Sequence, residues 1–308
     1  LTGLEILPDL FFIERGLLHG NHFAYRGRRP ILIDTGHVCD CRETLDLIAA
    51  VGVDPGRVGL IINTHAHYDH VGADRIIQER SGCAIALHRI GKHFVDTKDY
   101  WATWWRYYKE SEAFSFQCTR ALKDGEIAAV GPHEFRVVYC PGHAADLIAL
   151  YHPREKILIS SDALFEDDMP ALNLPVEGSR TLFTHLETLD RLASLDIRVV
   201  FPGHGPPFTN APAAITRARQ KLETYLADRS KAGQDLLKKL FVYTLLTYGS
   251  VEEARFFPLL MAGGWFKETV DLDFGGQYRE KYREILQSLV DRGLICRNGH
   301  RLYTPIKP

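Results

Sequence analysis

Short apolar runs separated by turn residues open the chain, at Leu10–Ile13, His22–Tyr25 and Ile31–Ile33. Runs of this length bounded by Gly, Pro and Asp predict antiparallel strands. Asp34-Thr35-Gly36 ends the third at a turn, and a helix over 43–51 follows. The apolar, β-branched run 59–63 predicts a buried strand, 69–80 a helix and 83–87 a further strand. Strand signals return at 135–140, 147–151 and 156–160, an amphipathic helix covers 180–195, and 198–201 is a last strand. Strands and helices therefore come in two halves around an interruption at 89–121. This order implies two packed sheets flanked by helices.

Within the interruption, residues 96–108 carry aromatics at three- and four-residue separations on nearly every side. That spacing predicts a helix covered on more than one face, as a lid over a substrate pocket, a dimer surface or part of the core. After Pro206-Pro207 the pattern changes to almost unbroken helix over 211–248, then 250–261, then an amphipathic stretch at 278–291 that ends at Gly293. Two short strands around Asn298-Gly299 predict a hairpin. Helix, helix, helix, hairpin is the order of a winged helix, so 1–210 and 211–308 read as two domains, the second mostly helical.

At 308 residues the chain is long enough for both. A net charge of −2 and a pI near 6.7 give no global pull toward nucleic acid or membrane. The segment 211–308 does carry an excess of about five positive charges. The six cysteines are scattered, as expected of reduced thiols in a cytosol, and Cys39-Asp40-Cys41 beside His37 reads as two small thiols rather than a metal clip. The amino terminus has no signal-peptide pattern, and no apolar run approaches the roughly eighteen residues that span a bilayer. The expectation is a cytoplasmic protein with no membrane partner.

Chemistry concentrates at Thr64-His65-Ala66-His67-Tyr68-Asp69-His70. Imidazoles and a carboxylate packed this densely would each need a buried partner, so they point to a metal. If the chain stays extended past the strand, His65, His67 and Asp69 project one way, and the helix opening at Asp69 swings His70 aside. One loop can then feed two cations. Further ligands stand at predicted strand ends: His143 after Cys140-Pro141-Gly142, Asp162 after Ser160-Ser161, and His204 after Pro202-Gly203. The assignment is His65, His67, His143 and a bridging Asp162 on one metal, and Asp69, His70, His204 and Asp162 on the other. Asp34 becomes an outer acceptor that holds the histidine loop. Nitrogen and oxygen donors without thiolate suit two zinc ions, with iron or manganese as alternatives. Candidate substrate contacts are Tyr68 between the ligands, Trp104 and Tyr108 in the aromatic segment, and Phe165 in the apolar loop after Asp162.

The set Asp34, His65-x-His67-x-Asp69-His70, His143, Asp162 and His204 resembles, in order, the metallo-β-lactamase superfamily. This resemblance covers 1 to about 210 and implies a four-layer αββα fold of the α/β (α+β) class. Gly205-Pro206 followed by helices and a hairpin looks most like the branch holding the lactamase-β-like endoribonuclease and thioesterase-like hydrolases. Three positions depart from the family pattern: Ala144 and Leu147 stand where a hydroxyl residue and a second His or Ser are common, and Ser161 where glycine is frequent.

Two cations sharing a water make it hydroxide near neutral pH, so the site needs no protein nucleophile, and Asp69 can hold or pass a proton. The chain is thus expected to be a metal-dependent hydrolase of a small acyl ester, thioester or lactone. An RNA phosphodiesterase and a metal-containing sensor with little turnover are the alternatives. Partners would be the acyl substrate, with nucleic acid less favoured, and a second copy of the chain in a homodimer.

Overall fold

The computed structural model describes residues 3–107 and 115–307. Strands β1 (Leu4–Leu7), β2 (Leu10–Ile13), β3 (His22–Tyr25), β4 (Ile31–Ile33), β5 (Leu60–Ile62), β6 (Ala84–His88) and β7 (Arg120–Leu122) form a seven-stranded sheet in chain order. It is antiparallel from β1 to β4 and parallel from β4 to β7. The strands β8 (Ile127–Val130), β9 (His133–Tyr139), β10 (Ile148–His152), β11 (Ile157–Ser161) and β12 (Val199–Pro202) form a five-stranded sheet in the order β12-β11-β10-β9-β8, in which only β11 and β12 run parallel.

Alternation along the strands explains how the sheets pack. Phe12, Phe23, Ile33 and Ile62 from one sheet share a core with Phe135, Val137, Leu150, Ile159 and Phe201 from the other. The Phe12 ring lies 5.3 Å from Phe23 and 5.1 Å from Phe201, linking the two inner faces. Helices α1 (Cys41–Ala50), α2 (Asp74–Ser81) and α3 (Arg89–Thr97) bury Leu45, Ile48, Ile77 and Val95, and α5 (Thr181–Ala193) buries Leu189 and Leu192. The result is two mixed sheets flanked by helices, as the αββα expectation has it.

The chain divides into two compact units, Leu1–Pro170 with Phe183–Arg219, and Ala171–Leu182 with Gln220–Pro308. The short α4 (Leu174–Glu177) belongs to the second unit, and α6 (Ala211–Ala227) follows β12. In the second unit α7 (Ser230–Tyr248), α8 (Glu253–Ala262), α9 (Trp265–Phe274) and α10 (Tyr278–Asp291) close around Leu237, Phe241, Phe256, Phe266 and Ile285. A three-stranded sheet completes it, with β13 (Val251–Glu252), β15 (Arg301–Tyr303) and β14 (Cys296–Asn298) in that spatial order. No helix among the described residues is long and apolar enough to cross a membrane, and none of the six cysteines is in a disulfide.

Several expectations need correction. Past β5 the chain does not stay extended but bends and turns, and α2 begins at Asp74 rather than Asp69. The cause is tertiary: Gly72 passes so close to 36–38 that a Cβ would lie 2.3 Å from the His37 carbonyl carbon, and the His70 carbonyl is taken by the Thr35 amide at 2.7 Å. The aromatic stretch is not one helix. α3 stops at Thr97, Lys98 turns left-handed with φ 55°, and Asp99 Oδ1 accepts the amides of Trp101 (3.2 Å) and Ala102 (3.0 Å), an alternative to helical bonding. Among the described residues a 3-10 turn at Trp105–Tyr107 is the further helix there; Tyr108 lies outside the described residues. The hairpin loop is Gly299-His300, one residue later than expected, because Asn298 pairs with Arg301. The predicted helix at 250–261 gives its first residues to β13.

Asp74, at the first turn of α2, fastens the base of the histidine loop: it accepts from Thr35 Oγ1 at 2.7 Å and from Asn63 Nδ2. Burial pushes its carboxyl up from 3.8 to about 8. Between about pH 4 and pH 8 the folded chain keeps this proton while the unfolded chain loses it, so this residue's contribution to stability declines as pH rises. We expect the stability of wild type relative to Asp74→Asn to fall steadily from pH 4 to pH 8 in denaturant titrations, and Asp74→Ala to cost about 2 to 3 kcal/mol through two orphaned donors.

Candidate metal centre

The site is assembled where strands end. The loop 64–70 leaves β5, Asp34 follows β4, His143 follows β9, Asp162 follows β11 and His204 follows β12. Parallel pairing of β4 with β5 and of β11 with β12 brings those carboxyl ends side by side. All seven candidate ligand side chains meet there, in three overlapping groups: His65, His67 and His143; Asp69, His70 and His204; and His65, His70 and Asp162.

Distances define the arrangement. His67 Nδ1 lies 3.0 Å from His143 Nε2, and Asp162 Oδ2 lies 3.3 Å from His143 Nε2 and 3.6 Å from His204 Nε2. Its Oδ1 is 3.6 Å from His70 Nε2. Asp69 Oδ2 is 3.4 Å from His204 Nε2. Asp162 thus stands between the two histidine groups. His65 Nε2, His70 Nε2 and Asp162 Oδ1 are buried with no hydrogen-bond partner among the described residues.

Outer contacts aim the rings. Asp34 accepts from the Thr64 amide at 2.7 Å and the Thr64 hydroxyl at 2.8 Å, and its Oδ2 lies 2.8 Å from His70 Nδ1. Thr64 Oγ1 in turn lies 3.1 Å from His65 Nδ1 and 2.7 Å from Ser161 Oγ. Ser161 holds a left-handed φ of 47°, the conformation for which glycine is the usual choice.

Burial drives His65 and His67 well below the ordinary imidazole value, with the neighbouring rings pushing the same way, so both are neutral. Burial also acts against a charged His70, but Asp162 and Asp34 outweigh it and hold that ring well above the ordinary value. His204 is likewise raised against burial by Asp162 and Asp69. Burial would raise Asp69 and Asp162, yet the facing His204 and His70 keep both below the usual carboxylate range. Neutral His65 and His67 beside two anionic carboxylates, with His70 and His204 able to yield a proton to a metal, are a donor set for a hard-to-borderline cation. Zinc nitrogens at about 2.0–2.1 Å in a tetrahedron sit about 3.3 Å apart, near the observed spacing. The residues present fit a metal.

Three of the candidate substrate contacts lie among the described residues. Phe165 is half-buried, edge-on to His204 at 6.0 Å. Tyr68 is buried and edge-on to His37 at 5.3 Å. Trp104 is buried against the His67 ring, 4.0 Å away at 30°. Ala163, Leu164 and Met169, in the apolar loop after Asp162, are fully buried.

Sequence reading missed several supports. Asn21 Nδ2 donates to the carbonyls of Pro202 (3.0 Å) and Gly205 (2.8 Å), holding the turn that carries His204. A Cβ at Gly203 would lie 2.0 Å from Asp162 Oδ1, and one at Gly20 would lie 2.6 Å from the Asp69 carbonyl oxygen. Asp146 accepts the Ala66 amide at 3.0 Å, and Trp105 Nε1 donates to the Ala66 carbonyl at 2.7 Å. Gly20-Asn21 immediately before a strand was the one sequence signal available, and it reads as an ordinary turn.

Comparison with known proteins agrees with this geometry. The family model described as Metallo-beta-lactamase superfamily matches residues 16–204. The chain is 25% identical over 229 residues to the "Probable metallo-hydrolase YqjP" of Bacillus subtilis (strain 168), covering 65% of this chain and 71% of the relative. It is 26% identical over 157 residues to a "Hydroxyacylglutathione hydrolase" of Maricaulis maris (strain MCS10), covering 51% of this chain and about half, 52%, of that relative. A crystal structure of a metallo-beta-lactamase family protein from Thermus thermophilus superposes with a TM-score of 0.59 at 24% identity, over 97% of this chain and 100% of that one, which shows a shared fold.

Two outcomes follow from the network. Asp34→Ala should weaken zinc binding about 10- to 100-fold in chelator competition, since it frees both Thr64 and His70. Zinc uptake near pH 7 should release protons, because the raised His70 must give up the proton on Nε2; calorimetry in buffers of different ionisation enthalpy would show it, and the release should shrink as pH rises.

Proposed function

Because the chain belongs to the metallo-β-lactamase superfamily, we propose that it is a dinuclear metal-dependent hydrolase of a small acyl ester, thioester or lactone. His65, His67 and His143 would hold one cation, Asp69, His70 and His204 the other, and Asp162 would lie between them; zinc is the first choice, with iron or manganese as alternatives. The observation that carries this reading is the convergence of His65 Nε2, His70 Nε2 and Asp162 Oδ1, buried and without hydrogen-bond partners among the described residues. Groups of this kind demand an explanation, and a cation supplies one.

Bound cations would provide Lewis acidity and an activated water. The chain's own residues do the remaining work. Asp34 and Thr64 hold two of the rings in aim, and Asp69, at the more open edge of the cluster, would take and return a proton. Phe165 beside His204 offers an apolar surface to an acyl group. The relative named for hydroxyacylglutathione hydrolysis supports an acyl substrate.

A second reading, phosphodiester cleavage in RNA, is favoured by one feature of the second unit, which we read as winged-helix-like. A groove of ≈ 1170 Å³ beside its hairpin is lined by Arg279, Arg283, Arg297 and Arg301, with Glu252 and Glu253 opposing them. Glu253 already holds Arg297 at 3.0 Å, which leaves a modest cationic track.

A panel of acyl thioesters, lactones, esters and single-stranded RNA, offered to zinc-loaded protein, separates the two. We expect acyl turnover that a chelator abolishes and that His65→Ala reduces at least about 100-fold. Turnover of RNA alone, with salt-dependent binding, would replace the acyl reading.

A further inference from the structure

His67 differs from its neighbours in what holds it. The far nitrogen of His65 meets Thr64 Oγ1, and that of His70 meets Asp34. His67 Nε2 is buried with no hydrogen-bond partner among the described residues. In place of a polar anchor it has a ring: Trp104 stacks on it at 4.0 Å and 30°, and the same indole meets His143 at 5.2 Å and 64°.

Trp104 occupies this position at a conformational cost. Its φ is 61°, left-handed, a region that bulky L residues avoid. Such a conformation persists only where the surroundings over-determine it, and here they do. The Trp104 amide donates to the Trp101 carbonyl at 3.1 Å, within the turn that Asp99 organises. On its other side Trp105 is fully buried and its indole N–H is fixed to the Ala66 carbonyl. Adjacent indoles therefore grip the loop twice, one by the carbonyl of Ala66 and one by the ring of the next residue.

We propose that Trp104 is a positioning residue whose indole face fixes the plane of the His67 ring, so that the Nδ1 lone pair is aimed at the cation shared with His65 and His143. The inference rests on the reading of His67 as a ligand. The lone pair of Nδ1 lies in the ring plane, so a tilted ring misses its target, and no hydrogen bond from a described residue at Nε2 corrects the tilt. When Nδ1 donates to a cation the imidazole gains positive character, and the electron-rich indole face then attracts it more strongly. The stack tightens on loading, which is when it is needed.

Trp104→Leu and Trp104→Phe test this on the full chain, by zinc stoichiometry and chelator competition, with the thermal unfolding midpoint as a control for folding. The expected result is that Trp104→Leu weakens one of two zinc equivalents about 10- to 100-fold and leaves the other unchanged, while Trp104→Phe, which keeps an aromatic face, stays within about threefold of wild type. A general structural lesion would weaken both equivalents and would not be rescued by Phe. Zinc loading should also change tryptophan emission in wild type, and most of that change should vanish in Trp104→Phe, where Trp101, Trp105 and Trp265 remain. That readout stands even if the Leu variant does not fold. Unchanged affinity for both equivalents in Trp104→Leu, or a full emission change in Trp104→Phe, would overturn the role of Trp104 while leaving the ligands in place; wild type that takes up no zinc would remove the ligand reading and this inference with it.

Discussion

One buried carboxylate, Asp34, fixes the geometry on which the rest of the first unit's site depends. Its two oxygens take the amide and hydroxyl of Thr64 and face the far nitrogen of His70. Through the Thr64 hydroxyl the same network reaches His65 and Ser161, the residue next to Asp162. A single acceptor therefore sets the aim of rings in both histidine groups and ties them to the strand that supplies the carboxylate between them. Its left-handed φ of 56° is tolerable for Asp, whose short polar side chain finds local partners. Few other residues could supply both the turn and the acceptor.

That network works only because the backbone around it comes very close. Gly20 and Gly203 lie where any Cβ would collide with Asp69, His70 or Asp162, and Asn21 fastens the Pro202–Gly205 turn from the opposite sheet. The sandwich places the site in the same way. Its inner faces are filled by apolar side chains, so polar groups gather where strands end, and parallel pairing at β4–β5 and β11–β12 puts those ends together. Fold and site are one arrangement seen at two scales.

What could be read from the sequence was whatever the local pattern determines. Apolar runs of strand length gave β2, β3, β4 and β9 to β12 with small boundary errors, and α10 over its full length, because burial fixes those segments almost by itself. The convergence of His65, His67, Asp69, His70, His143, Asp162 and His204 was legible because each is a costly residue at a strand end, where a turn costs least. The failures share a cause. The start of α2 was set by the contact of Gly72 with 36–38, and the end of the aromatic helix by the Asp99 side chain and the left-handed Lys98 and Trp104. None of these leaves a mark in periodicity. α9 went unseen because Gly263-Gly264 and Gly275-Gly276 bracket a stretch with no clear apolar face, and its helical state comes from the core it joins.

The choice of residues at the centre argues against a structural purpose. A protein interior selected for stability alone would fill this volume with apolar side chains, since buried polar atoms without partners weaken the fold. Instead the chain brings imidazoles together with ring nitrogens facing inward, leaves His65 Nε2 and Asp162 Oδ1 without hydrogen bonds among the described residues, and holds Asp34, Ser161 and Trp104 in left-handed backbone around them. Each feature is unfavourable when considered alone. Together they point inward at one volume, and the geometry of the outer contacts keeps them there. Strain and unsatisfied polarity that accumulate in one place, with their directions agreed, mark a position kept for what it binds and does rather than for what it adds to folding.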